Sequence, residues 1–338
     1  MKKIFGIAFF LISVACIPAL PAVIAEKSDV SAASAKTAPE AEEVPVGSPD
    51  ENDGFYRVLS CSTGEIIEVS IRDYVIGAVA AEMPASFESE ALKAQAVAAH
   101  TYAERQRNLQ KKAPDKALGN ADFSDDPNKY QGFLTDDKIR RYFGDNYDTY
   151  YEKISAAADE VLPYIITYDD EPIIAAFHSM SSGRTESAEN MWGTAVEYLV
   201  PVNSESDKDA PNYADETEVS AAFVRARLEK VFEGVELGDL PEEWIKPEKK
   251  SQSGTVIEVT VGNVKASGDE IRQAFGLRSA DFTVEYADEA FTFATRGYGH
   301  GVGMSQYGAN SMAKEGADWR EILSHYYKNC EIKAFGNE

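Results

Sequence analysis

Asp73-Tyr74-Val75-Ile76-Gly77-Ala78-Val79-Ala80-Ala81-Glu82-Met83-Pro84 opens the most informative part of the chain. Ser70-Ile71-Arg72-Asp73 just before it has the [ST]-x-x-[DE] spacing of a capping box, which predicts a helix start. Ile71, Tyr74, Val75, Ala78 and Val79 then recur at i, i+3, i+4, i+7 and i+8, a single apolar face. At about 100° per residue, Glu82 returns to that face. Met83-Pro84 stops the helix, because a residue before proline disfavours the helical region. A carboxylate there is awkward twice over. It continues an apolar stripe, and it faces the negative end of the helix macrodipole. Both effects raise its pKa and favour the neutral acid, the form a general acid needs. A rim position that reaches water is the alternative that periodicity alone leaves open.

A second helix is expected from Ser89, as N-cap, to about Arg107. Six alanines between residues 90 and 103 keep it thin, so that other elements can approach closely. Gln95 is flanked along one face by Ala91, Ala98, Ala99 and Tyr102, which makes it a buried or cleft-facing amide. It serves either the backbone or a ligand. The two helices and the Met83–Glu88 turn form a hairpin with Glu82 at its bend.

The rest of the 338-residue chain bounds what this hairpin can do. Lys and Arg number 33 against 57 Asp and Glu, a net charge of −24. That argues against nucleic acid, whose affinity rests on basic side chains neutralising phosphates. A polybasic hold on an anionic membrane is equally unsupported. Lys2 and Lys3 precede an uncharged run from Ile4 to Ala25, so residues 1–25 read as a signal peptide or a membrane anchor. Residues 26–53, rich in Ala, Ser, Pro and acids, read as a disordered acidic linker. Residues 54–338 are then an extracytoplasmic working region, tethered to the membrane or secreted to the cell envelope. Three cysteines are too few for a disulfide framework; Cys61 and Cys330 either pair or remain thiols.

Two more blocks stand out. Tyr164–Tyr168 and Ile173–Phe177 read as a β-hairpin that delivers His178-Ser179-Met180-Ser181-Ser182-Gly183-Arg184-Thr185-Glu186, with Glu189-Asn190-Met191-Trp192 following. The third block is Arg296-Gly297-Tyr298-Gly299-His300-Gly301-Val302-Gly303-Met304-Ser305-Gln306-Tyr307-Gly308-Ala309. Its alternating glycines permit close backbone approach, and it lacks the Lys and Ser/Thr of a phosphate-binding loop. A helix is expected from near Met304 to Gly316, and another capped by Asp318. Between these blocks, about residues 216–277 read as an inserted lobe, with a helix over 219–232 and a strand over 256–261.

Together with the first run, these blocks resemble the stage II sporulation protein D family, in order, from about Gly54 to Phe335. The resemblance implies an α+β protein of two lobes with a substrate cleft between them. It implies a peptidoglycan lytic transglycosylase that cleaves the MurNAc–GlcNAc bond of peptide-stripped glycan and leaves 1,6-anhydro ends, in sporulation or wall turnover. Glu82 becomes the single catalytic acid/base. Gln95, His178, Ser179, Ser182, Thr185, His300 and Gln306 become substrate-binding residues. The partners implied are glycan strands, an amidase and membrane proteins of a wall-remodelling complex. The same family includes enhancers of N-acetylmuramoyl-L-alanine amidases, so a non-catalytic wall-binding enhancer is the competing expectation. A glycosidase using water would need a second carboxyl, with Asp73, Glu88, Glu186 and Glu189 as candidates. Some relatives bind zinc through a Cys/His cluster; residues 121–131 here contain neither, so no metal and no cofactor are expected.

Overall fold

The computed structural model describes residues 54–335. The expected signal peptide or anchor at 1–25 and the linker at 26–53 lie outside the described residues. The fold is mixed α+β. No described helix is long and apolar enough to cross a membrane.

The hairpin forms as its sequence dictates, with adjustments. Helix α1 spans Ile71–Glu82, and the Ser70 hydroxyl accepts from Asp73 N at 3.0 Å. The chain turns extended at Met83. Helix α2 spans Ser89–Lys112, longer than expected at its C-terminus, where Lys111 and Lys112 complement the macrodipole. Ser89 is its first helical residue rather than its cap. The cap is Glu88, whose side chain makes no capping bond and whose N–H donates to Asn310 Oδ1 at 2.8 Å. The alanines at 91, 94, 96, 98, 99 and 103 are all buried. This thin helix is packed by α1, by the helices Tyr147–Val161, Gln306–Lys314 and Trp319–Tyr326, and by the strand Tyr164–Tyr168.

The hairpin expected over 164–177 is shorter. Tyr164–Tyr168 pairs antiparallel with Glu171–Pro172 across Asp169 and Asp170, both at positive φ. The strand Glu331–Ala334 takes the other edge of Tyr164–Tyr168. Phe177–His178 instead pairs parallel with Met304–Ser305, a pairing that brings the second and third sequence blocks together. Ser305 then caps the helix Gln306–Lys314, so the helix expected near Met304 begins two residues later.

A second core contains Leu228, Trp244, Val259, Ile271, Phe291 and Phe293. Its sheets are Ile245–Lys250 with Val256–Val261 and Val264–Ala266, and Ala214–Ser220 with Phe282–Ala287 and Ala290–Arg296. Phe291, Phe293 and Thr295 are buried in alternation along the last strand, the period-two signature of a sheet with one face inward. Residues 216–277 supply part of this core, and the 282–296 strand pair supplies the rest.

Asp207, wholly buried, fastens the two blocks. One carboxylate oxygen accepts from Ser181 N (2.7 Å) and Ser181 Oγ (2.6 Å), the other from Ser305 Oγ (2.7 Å). Burial pushes its pKa up, and these donors oppose the shift. Removing it strands three buried donors. Asp207→Ala is therefore expected to lower unfolding stability by on the order of 3 kcal/mol, read as the midpoint shift in urea denaturation.

Candidate active site

The Glu82 carboxyl lies at the last residue of α1. Its Oε1 accepts from Gly132 N at 2.7 Å, while Oε2 is shielded from solvent and has no hydrogen-bond partner among the described residues. Burial pushes the pKa from its ordinary 4.5 to about 7, and the Gly132 N–H acts weakly against the shift. Two glycines make this contact possible. A Cβ at Gly77 would meet Leu134 O at 2.2 Å, so only glycine lets the 130–134 segment lie against α1. A Cβ at Gly132 would meet Glu82 Oε1 at 2.6 Å.

Gln306 Nε2 donates to the Glu82 main-chain carbonyl at 2.9 Å and reaches Gln95 Oε1 at 3.3 Å. Three expected site residues, Glu82, Gln95 and Gln306, thus come together. Gln95 Nε2 and both amide atoms of Gln131 are buried without partners, so the acid's surroundings hold unused hydrogen-bonding capacity. Ser179, half-buried, is tied to the residue after Gln306: its carbonyl accepts from Tyr307 N at 3.0 Å.

His178 and His300 form a separate buried pair, with ring centroids 5.7 Å apart and Trp192 5.6 Å from His300. His178 Nδ1 lies 3.1 Å from Val302 O, which only accepts, so Nδ1 carries the proton. Val302 N donates to His300 Nδ1 at 3.1 Å, so His300 carries its proton on Nε2. Burial, with help from nearby Arg272, pushes both pKa values down to about 3. The rings are therefore neutral and of opposite tautomer, with one Nε2 a lone pair and the other a donor. A metal would need lone pairs on both; this pair suits a bridging O–H group instead. His300 borders a void of about 20 Å³, the size of one water.

Ser182 and Thr185 are occupied elsewhere. Ser182 Oγ donates to Ser253 O at 2.6 Å, and buried Thr185 Oγ1 accepts from Val202 N at 2.8 Å. Among the carboxyls considered for a hydrolase, Glu186 has both oxygens engaged, by Ser187 and Asn190 on one side and Ser251 on the other. Asp73 stands nine residues before Glu82 along α1, roughly 14 Å at 1.5 Å per residue.

The 121–131 segment is braced by carboxylates. Asp122 Oδ2 accepts from Arg57 N (2.8 Å) and Asp125 Oδ1 from Cys61 N (2.6 Å), while Phe123–Ser124 pairs parallel with the Phe55–Leu59 strand. These bonds hold the segment that leads to Gly132. Cys61 is exposed, Cys330 is half-buried, and both are free thiols. Gly132, Gln131 and Asp207 escaped the sequence reading. Only Gly132 carried a signal, as a lone glycine in a polar-aromatic loop.

A mixed α+β fold with a raised-pKa carboxyl at a helix hairpin, and with Gln306 and Gln95 meeting at its main-chain carbonyl, defines a candidate acid–base site. Residues 60–168 match the family profile described as Stage II sporulation protein. The chain is 37% identical over 308 residues to Stage II sporulation protein D of Bacillus subtilis (strain 168), covering 90% of this chain and 85% of that one. It is 35% identical over 276 residues to Stage II sporulation protein D of Bacillus amyloliquefaciens, covering 81% and 77%. To the protein of Bacillus subtilis (strain 168) named amidase enhancer it is 23% identical over 307 residues, 77% of this chain and 40% of that protein. The chain belongs to the stage II sporulation protein D family.

Two outcomes are expected at this site. The neutral Glu82 is favoured in the fold, so its contribution is complete below pH 4.5 and lost as pH rises through about 7. Glu82→Gln removes that loss. The variant should match the native protein at pH 4 and exceed it by on the order of 2–3 kcal/mol at pH 8, measured by denaturant unfolding at both pH values. Gly132→Ala should displace the Glu82 carboxyl from the N–H of residue 132, read by NMR as loss of the Glu82-dependent pH shift of that amide proton.

Proposed function

We propose that this protein is a peptidoglycan lytic transglycosylase of the cell envelope, with Glu82 as its only catalytic acid/base. The observation that carries the reading is the Glu82 carboxyl itself, with a pKa raised to about 7 and a shielded Oε2 without a partner among the described residues. A carboxyl in that state holds a transferable proton near neutrality.

In the proposed reaction, protonated Glu82 gives its proton to the bridging oxygen of the MurNAc–GlcNAc bond. The C1–O4 bond breaks with that electron pair leaving on the GlcNAc oxygen, and C1 gains oxocarbenium character. The muramyl 6-hydroxyl then bonds to C1 and passes its proton to the Glu82 carboxylate. The anhydro ring closes and the acid is regenerated, with neither water nor a second carboxyl consumed. The Gly132 N–H stabilises the transient carboxylate. Gln95, Gln306 and Ser179 are the polar groups that would meet the sugar, and His178 and His300 would meet at most one hydroxyl. Glycan strands freed of stem peptides are the substrate in this reading, and an amidase that strips them is the natural partner.

The 23% likeness to a protein named amidase enhancer favours a second reading, in which the protein binds wall and stimulates an amidase without cutting glycan. One experiment separates the two. Purified protein is incubated with peptide-free glycan strands and the ends are analysed by mass spectrometry. Anhydro ends are expected, at least 100-fold fewer with Glu82→Gln, and turnover should fall about tenfold per pH unit above 7 as the acid ionises. Intact strands, with a faster amidase in the same assay, would end the transglycosylase reading; ordinary reducing ends would mean hydrolysis.

A further inference from the structure

A cavity of about 390 Å³ opens beside the end of α1, within the size range of small-ligand pockets. One wall is the turn that follows Glu82, with Pro84 and Phe87. The opposite wall is one face of the Gln306–Lys314 helix: Tyr307, Asn310, Ser311 and Lys314 stand at i, i+3, i+4 and i+7. That helix begins with the Gln306 side chain on the Glu82 carbonyl, so the cavity and the acid share two elements, the end of α1 and the Gln306–Lys314 helix. Phe87 and Tyr307 meet edge to face with centroids 5.0 Å apart, an apolar floor. Asn310 spends its Oδ1 on Glu88 N, which leaves its amide N–H groups as donors. Lys314 is exposed at the cavity and Asp209 is the one acidic residue of its lining.

An aromatic floor, amide and hydroxyl donors, one cation and one separate anion describe a particular ligand. It has an apolar ring face, hydroxyl or amide N–H groups for Asp209, and one carboxylate for Lys314. We infer that this cavity is a subsite for an N-acetylated sugar carrying a free lactyl carboxylate, and that Lys314 makes the protein select that acid over its peptide-linked amide. The inference rests on the glycan reading above and adds to it a residue that sets specificity. Attachment of a peptide turns the lactyl carboxylate into a neutral amide, which removes the charge Lys314 meets and adds bulk where the cavity ends. A partly exposed ion pair discriminates modestly, about three- to fivefold, and less at high salt.

The test uses binding to the Glu82→Gln protein, so that cleavage does not interfere. Three oligosaccharides of equal length are compared by calorimetry: alternating GlcNAc–MurNAc with free lactyl carboxylates, the same strand with every lactyl group converted to its methylamide, and a chito-oligosaccharide. The free acid is expected to bind about three- to fivefold more tightly than the methylamide. Lys314→Gln should erase that gap, Lys314→Arg should restore it, and the chito-oligosaccharide should be indifferent to either change. Equal affinity for acid and methylamide, a gap that survives Lys314→Gln, or no binding of any strand would overturn the subsite. Strands bound with the Lys314 dependence but left uncut by the native protein would keep the subsite and end the transglycosylase reading alone.

Discussion

The side-chain amide of Gln306 holds two distant parts of the chain on one point. It donates to the carbonyl of Glu82, 224 positions earlier, and reaches the amide of Gln95, 211 positions earlier. The last turn of a helix leaves its carbonyls without intrahelical partners. At the end of α1 one of those carbonyls is satisfied by a residue from the third sequence block, so the closure of the α1–α2 bend depends on where Gln306 sits. Gln306 is fixed in turn by Ser305, whose hydroxyl both caps its helix and donates to buried Asp207. Asp207 also holds Ser181 of the second block. The acid, the serine loop and the glycine-rich run therefore form one polar unit, and loosening any member reaches the other two.

The histidines illustrate how such a unit restricts chemistry. Sequence alone allows His178 and His300 to act as bases, metal ligands or sugar contacts. Their hydrogen bonds to the two sides of the Val302 backbone select opposite tautomers. Burial keeps both uncharged near neutrality. A neutral donor beside a neutral acceptor, with ring centroids 5.7 Å apart, is suited to hydrogen bonding a hydroxyl and not to holding a cation.

What the sequence made legible follows from the range of each signal. The α1 helix, its Ser70 cap and its stop at Met83 are governed by residues within one or two turns, and they fell where periodicity and proline put them. The return of Glu82 to the apolar face of α1 is legible in the same way, whereas its half-buried state, with Oε2 shielded, depends on the distant Gly132 loop. Residues 173–176 have strand composition but lie in no strand, because the hairpin pairing ends at Pro172 and the next strand, Phe177–His178, pairs with Met304–Ser305 far along the chain. Thr185 and Ser182 look like ligand-binding hydroxyls, yet both satisfy local backbone groups, a use that composition cannot distinguish. Gly132 was invisible because its role is to lack a Cβ beside a carboxyl fifty residues away. The cavity beside Tyr307 and Lys314 is a property of packing between segments, and no single segment announces it.

The charge of the protein and the charge of its acid are nearly independent. With 57 acidic side chains, repulsion might be thought to hold the Glu82 proton in place. Yet burial is the first cause of its raised pKa, and beyond about 8 Å surface charges are largely screened at physiological salt. The proton is held by the shell around the carboxyl, in which α1, the Gly132 loop and Gln306 exclude water. In the proposed reaction, a sugar seated against that shell would displace more water and strengthen the neutral form before transfer. Once the proton has left, the burial that favoured the acid disfavours the anion, and the Gly132 N–H is the donor that offsets it. Burial thus keeps the acid protonated until transfer and raises the cost of the ionised state, a cost that the single Gly132 hydrogen bond offsets only in part. A second strong donor would lower the pKa and leave the carboxyl ionised near neutrality.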